Sequence, residues 1–289
     1  MRISLSVHGL AADALGSLVQ HADVLGFDTI WLPDHLVNPV EVRTRYPYTF
    51  SGERRYHVET PLNDVWVVIG HAAALTQRIR LGTGVYILPL RNPFVTARAA
   101  MTAHALSGGR VVLGVGAGWL REEFSVVGEA FATRGTRMDE ILTILTLLWS
   151  GERVAHAGAH YRFSPVYFGP APLKPIPIFI GGLGEAALRR AAKFGDGWYG
   201  PDCSLEVALG ARNRIEGLRA SEGKAHRHFE YIARLHEGMS RQVLRRYADA
   251  GFDHVAVSLR SLLEVLPDVS LGQVMSAMSR VAEELLNTA

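Results

Sequence analysis

The feature that constrains this chain most is a junction that recurs three times. Ala22-Asp23-Val24-Leu25-Gly26-Phe27-Asp28 leads into Thr29-Ile30-Trp31-Leu32. Ala191-Ala192-Lys193-Phe194-Gly195-Asp196 leads into Gly197-Trp198-Tyr199, and Ala248-Asp249-Ala250-Gly251-Phe252-Asp253 into His254-Val255-Ala256-Val257. Each time a helical stretch stops at a glycine, which can take the left-handed position after a helix without a Cβ penalty. Leu15, Leu18, Val19, Ala22 and Leu25 recur at helical spacing before the first junction, as do Val243, Leu244, Tyr247 and Ala248 before the third. The runs that follow are continuously apolar rather than alternating, the pattern of strands buried on both faces of a parallel sheet.

Extending this pattern predicts eight strands, near 3–8, 29–32, 80–85, 111–115, 177–181, 196–199, 228–234 and 254–259. Helices are predicted near 12–25, 62–75, 94–106, 136–149, 184–193, 204–221, 240–249 and 271–286. Eight β/α units in about 250 core residues match an α/β fold of the TIM (β/α)8 barrel type. An open, doubly wound sheet of eight strands is the structural alternative. The units run through residues 1–289 as one domain, with no linker or low-complexity tract. Two connections are long: 33–61, after the second strand, and the Gly/Pro-rich 150–176, before the fifth. Loops of this length are usually lids or insertions. On a barrel the first lies at the catalytic, C-terminal face.

Composition removes several function classes. Of 289 residues, 48% are hydrophobic and 20% charged, so the chain is globular. The net charge is +2 with no basic block, which excludes a nucleic-acid reader. No apolar run approaches the roughly 18 residues of a membrane span. Asp13 and Asp23 interrupt the start too early for a secretory leader, so a cytoplasmic protein is expected. Cys203 is the sole cysteine, so a disulfide framework and a cysteine-rich zinc site are excluded. Only three of the 30 basic residues are lysine (Lys174, Lys193, Lys224), a bias that fits a GC-rich genome.

Chemistry-bearing residues cluster at the predicted strand ends. Strand 2 ends in Trp31-Leu32-Pro33-Asp34-His35. Imidazole titrates near neutrality and can serve as acid or base, although Asp34 could simply cap a turn and His35 sit on a surface loop. Strand 3 ends in Leu81-Gly82-Thr83-Gly84-Val85, where glycines either admit a flat ligand or allow a tight bend. Gly114-Val115-Gly116-Ala117-Gly118-Trp119 after strand 4 misses the G-x-G-x-x-G dinucleotide spacing. Ile180-Gly181-Gly182-Leu183-Gly184 before a helix forms an anion site, or else a plain βα turn. His156 and His160, and His226 and His228, lack a carboxylate at a recognised spacing, so no metal is expected. Ser107-Gly108-Gly109-Arg110 lacks the G-x-S-x-G nucleophile turn and precedes strand 4 on the stability face.

Taken together these segments resemble the bacterial-luciferase-like superfamily of flavin and deazaflavin (coenzyme F420) oxidoreductases. The resemblance rests on Gly26-Phe27-Asp28 through Asp34-His35, Arg78-Ile79-Arg80-Leu81-Gly82-Thr83-Gly84-Val85, Asn92-Pro93, Leu106-Ser107-Gly108-Gly109-Arg110, Gly114 to Trp119 with Glu122-Glu123-Phe124, Arg134-Gly135, Leu148-Trp149, Ile180-Gly181-Gly182 and Asp196-Gly197-Trp198. Gly-Ala-Gly-Trp followed by Glu-Glu-Phe is most similar to the actinobacterial F420-dependent branch. The resemblance implies F420 as cofactor, with FMN as the alternative. It implies that Asp34 and His35 contact the cofactor and act as catalytic groups, His35 exchanging a proton and oriented by Asp34 or another carboxylate. It implies a cis bond at Gly84–Val85 under the ring, Ala117 and Gly118 beside it, and Gly181 and Gly182 at the phosphate. Trp119 stands where the sugar-phosphate dehydrogenases of this family carry a glutamate, which argues against that substrate and makes Trp119 a wall of the substrate pocket. Hydride transfer between deazaflavin C5 and a small organic substrate is the activity implied. The alternatives are an FMN monooxygenase served by a separate reductase and a non-enzymatic flavin-binding barrel. A homodimer is the family expectation. Loop 37–60 would close as a lid, with Arg43, Arg45, Arg54 and Arg55 either meeting an acidic group or solvated.

Overall fold

A computed structural model describes residues 1–54, 56–236, 238–259 and 270–286. Eight parallel strands close into a barrel: β1 (Arg2–Ser6), β2 (Thr29–Leu32), β3 (Arg80–Thr83), β5 (Val111–Gly116), β8 (Ile178–Gly181), β9 (Gly197–Cys203), β10 (Glu230–Leu235) and β11 (His254–Ser258). Registers such as Leu5↔Ile30, Trp31↔Gly82, Gly114↔Phe179 and Ile3↔Val255 run round the ring, and Leu81↔Val111 closes it. That last pairing excludes the open sheet, in which β3 would be an edge. The chain is therefore a TIM barrel. The two-residue strand β4 (Tyr86–Ile87) continues the third barrel position and pairs with β5.

Helices α1 (Ala12–Leu25), α2 (Val65–Leu75), α3 (Pro93–Leu106), α5 (Arg134–Leu148), α6 (Glu185–Phe194), α7 (Leu205–Ser221), α8 (Arg241–Asp249) and α9 (Leu271–Val281) occupy the predicted positions. A further short helix, α4 (Arg121–Val126), follows β5. The connection at 150–176, expected as an insertion, carries an antiparallel hairpin, β6 (Arg153–Ala157) and β7 (Arg162–Tyr167). Glu140 on α5 holds this hairpin, accepting from His160 N at 2.9 Å and Tyr161 N at 2.8 Å and pairing with His156 Nε2 at 2.9 Å. The His156 side chain is thus engaged by Glu140, while His160 Nε2 lies 2.9 Å from Thr136 Oγ1. No described helix is long and apolar enough to cross a membrane.

The junction glycines do not all work as expected. Gly26 and Gly251 take φ of 89° and 82°, the left-handed conformation. Gly195 does not: its φ is −84° and ψ 149°. It is glycine because a Cβ there would lie 2.8 Å from Ala191 O and 3.0 Å from Gly197 O. The reason is crowding, not handedness.

Inside the barrel, Trp31, Val112, Phe179, Tyr199, Ile232 and Ala256 pack together with Val85 above them. Trp31 is fully buried, and a Cβ on Gly82 would lie 2.5 Å from its ring. Gly82 therefore makes room for Trp31 rather than for a ligand. At the opposite, N-terminal end of the barrel a charged network ties strands together. Arg80 bonds Asp28 (2.7 Å) and Glu230 (3.0 Å), Arg2 bonds Glu230 (2.9 Å), and buried His254 bonds Ser4.

Candidate active site

At the C-terminal face lies a cavity of about 840 Å³. All the expected site residues line it: Asp34, His35, Gly84, Val85, Ala117, Gly118, Trp119, Gly181 and Gly182. Strand ends bring these distant segments together, because parallel strands all deliver their C-termini to one face.

The floor is backbone. The Gly84–Val85 bond is cis. The Val85 side chain wedges between β5 and β8: a Cβ on Gly116 would lie 2.7 Å from it and one on Gly181 2.8 Å. Gly84 could not carry a side chain either, since its Cβ would stand 2.9 Å from Trp31 Cβ. Three bare backbone positions around one small side chain leave a surface that a planar ring can approach.

His35 faces the cavity with 14% of its side chain exposed. Its partner is not Asp34. Nδ1 lies 2.8 Å from Oε2 of Glu123, a fully buried carboxylate on the first turn of α4. The other oxygen of Glu123 accepts from Leu36 N at 2.7 Å. Nε2 lies 3.2 Å from the Tyr56 hydroxyl. Burial and the Glu123 charge push the Tyr56 phenol well above its ordinary range, so it is a neutral hydroxyl. Glu122 accepts from Arg43 N (2.8 Å) and Thr44 N (3.0 Å), so two adjacent acids hold the β2 loop.

Asp34 works elsewhere. Oδ2 accepts from Ile87 N at 2.8 Å and Oδ1 from Arg91 Nη2 at 2.5 Å. Burial raises its pKa despite the opposing Arg91 charge and the Ile87 N–H. Asp34 thus braces the segment that follows Val85, and its two oxygens are engaged.

The β8 turn presents Gly181 and Gly182, the latter with φ of 116°, ahead of α6. The helix starts at Gly184 with no side-chain cap. Arg134 and Arg190 line the cavity here. Arg134 donates to Gly118 O (3.2 Å) and Phe131 O (3.0 Å); burial and the charges of Arg121 and Arg190 lower its pKa, so an anion is welcome. Tyr48 covers the turn, with its phenol pushed up to about 12, by burial first and Tyr46 second. Trp119 meets Tyr46 edge-on at 5.0 Å, forming an aromatic wall. Bare floor, uncapped helix and cationic corner fit a group made of a flat ring and a phosphate. Of the lid arginines, Arg45 lines the cavity and Arg55 lies outside the described residues.

Glu123 and Tyr56 were not singled out as partners of His35 in the sequence. Their separations from it, 88 and 21 residues, leave no periodic signal. The Glu-Glu-Phe motif contained Glu123, but only the fold shows which atom it meets.

Residues 3–256 match the luciferase-like monooxygenase family, and the chain belongs to it. By that membership it is a luciferase-like oxidoreductase. An uncharacterised protein of Mycobacterium tuberculosis is 34% identical over 254 residues, 87% of this chain and 86% of the relative. An F420-dependent glucose-6-phosphate dehydrogenase of Kineococcus radiotolerans is 32% identical over 235 residues, 78% of this chain and 65% of its own. The fold is shared with an F420-dependent secondary alcohol dehydrogenase (TM-score 0.76, 17% identity, 99% of this chain and 98% of that one). It is shared equally with the monooxygenase RslO1 of Streptomyces bottropensis (TM-score 0.75, 18% identity, 99% of both chains).

Proposed function

We propose that this protein is an F420-dependent oxidoreductase that transfers a hydride between the deazaflavin and a small organic substrate. The observation that carries the reading is His35, held by buried Glu123 and facing the cavity over the Gly84–Val85 floor. The F420-dependent relatives support the cofactor. Bound F420 would supply or accept the hydride at its C5. Gly84, Val85 and Gly116 would hold the ring, with Ala117 and Gly118 at its side. Gly181, Gly182 and the start of α6 would hold the phosphate, assisted by Arg134. Glu123 fixes His35 so that Nε2 faces the cavity and exchanges the proton that accompanies the hydride, a contribution of about 10²–10⁴-fold. Tyr46 and Trp119 exclude water. Trp119 also removes the acid expected of a sugar-phosphate site.

A second reading, FMN-dependent oxygenation with a separate flavin reductase, is supported only in its oxygenation by the family's description as luciferase-like monooxygenases. Orientation of His35 into the cavity counts against a non-enzymatic store. Titration of the purified protein with F420 and with FMN tests the reading. Micromolar F420 binding with at least tenfold weaker FMN binding is expected; FMN binding without F420 binding overturns it.

A further inference from the structure

Among the described residues the cavity is lined by four arginines, Arg45, Arg134, Arg190 and Arg234, and by one carboxylate, Asp34, which is committed to Arg91. Three of the four have assigned bonds. Arg45 donates to Ser51 O, Arg134 to Gly118 O, and Arg190 pairs with Asp139. Arg234 differs. It sits on β10, two strands along the barrel from β8 and its Gly181–Gly182 turn. Among the described residues its guanidinium makes no hydrogen bond and no ion pair within 4 Å; it lies 5.8 Å above the ring of Tyr199. Its register partner Asp202 bonds His236 Nδ1 at 2.9 Å. Tyr199 in turn borders Gly84, with its hydroxyl 3.4 Å from where a Cβ would stand. A guanidinium that lines the cavity with uncommitted donors is ready to pair with an anionic ligand. The cavity also has an apolar lining, which includes Leu10, Leu62, Val65 and Val68.

We propose that Arg234 is the anion-recognition residue of the substrate site, and that the substrate is an organic acid with an apolar body and a carboxylate head. This rests on the reading of the cavity as a joint cofactor and substrate site. The planar guanidinium matches a carboxylate through two parallel N–H···O bonds. Tyr199 holds the guanidinium near the floor, so the acid's body falls beside the ring position and its head points away from it.

The test uses the cofactor-free protein and calorimetric titration with benzoate, its neutral isostere benzamide, and phenyl phosphate. Benzoate is expected to bind about 10- to 100-fold more tightly than benzamide, the range of a charge-assisted hydrogen-bonded pair. Arg234→Gln should erase that preference, and Arg234→Lys should restore part of it. Three outcomes overturn the proposal: equal binding of benzoate and benzamide, no benzoate binding, or a preference that survives Arg234→Gln. Tighter binding of phenyl phosphate than benzoate, lost in Arg234→Gln, overturns the carboxylate assignment. A separate F420 titration keeps the two readings apart, since either can fail while the other stands.

Discussion

Glu123→Gln isolates the group that sets the protonation pattern of His35. In the native site Leu36 N–H donates to one oxygen of Glu123, and His35 Nδ1 faces the other. An ionised carboxylate accepts at both, so neutral His35 carries its proton on Nδ1 and offers a lone pair at Nε2, where Tyr56 donates. Glutamine cannot serve both partners. Leu36 N is a backbone donor and must keep the amide oxygen, so the NH2 group faces Nδ1 and the proton moves to Nε2. A hydrogen bond to a buried carboxylate is worth about 1.5–3 kcal/mol and a neutral one about 0.5–1.5 kcal/mol. The native pair should therefore favour the Nδ1–H form by about 10- to 100-fold, and the variant should reverse that preference at a stability cost of about 1 kcal/mol. Two-bond ¹⁵N–¹H correlation of the histidine rings at alkaline pH reads the tautomer, with His35→Gln to assign the signal. A native Nε2–H form, or a tautomer unchanged by Glu123→Gln, refutes the reasoning.

Acid should destabilise the fold from the closed end of the barrel. Burial holds the His254 pKa below its ordinary value, and Glu230 lies far below the carboxylate range because bonds from His254 and Arg80 outweigh burial. Groups depressed in the folded state contribute stability above their unfolded pKa and lose it as pH falls. The melting temperature should be flat above about pH 7 and fall in two stages, below about 6.5 and about 4.5, with the first stage reduced in His254→Gln and its remainder due to buried His104. A melting temperature constant from pH 7.5 to 4 contradicts this. Gly82→Ala should cost about 1–3 kcal/mol in urea unfolding, because the new methyl meets the buried Trp31 ring at 2.5 Å. A neutral effect would show that Trp31 has room to move.

The barrel was legible because its signals are local. Gly26 and Gly251 punctuate helices, and runs such as Val111 to Val115 are apolar on every residue because both faces are buried. The cavity's membership was legible for the same reason: strand ends converge wherever they lie in sequence. What sequence hid was the choice of partner. Asp34 adjoins His35 in the chain, yet turns to Arg91 and Ile87, while His35 takes Glu123 from another loop. Asp34 and His35 lie beyond the end of β2 in irregular backbone, where no periodicity tells which way each side chain turns. The hairpin at 153–167 was hidden by Gly158 and Pro165, which interrupt its strand pattern, and Gly195 showed the same residue type serving a different physical need.

The two neighbouring acids on α4 divide the β2 loop into parts with different freedom to evolve. Glu123 secures Leu36 and His35, and Glu122 secures Arg43 and Thr44. Insertions, deletions and exchanges between Arg45 and Thr60 that spare Tyr56 can reshape the roof of the cavity without shifting the imidazole. Descendants of this sequence can therefore acquire new substrates by rewriting one stretch of loop while inheriting the proton-transfer apparatus intact.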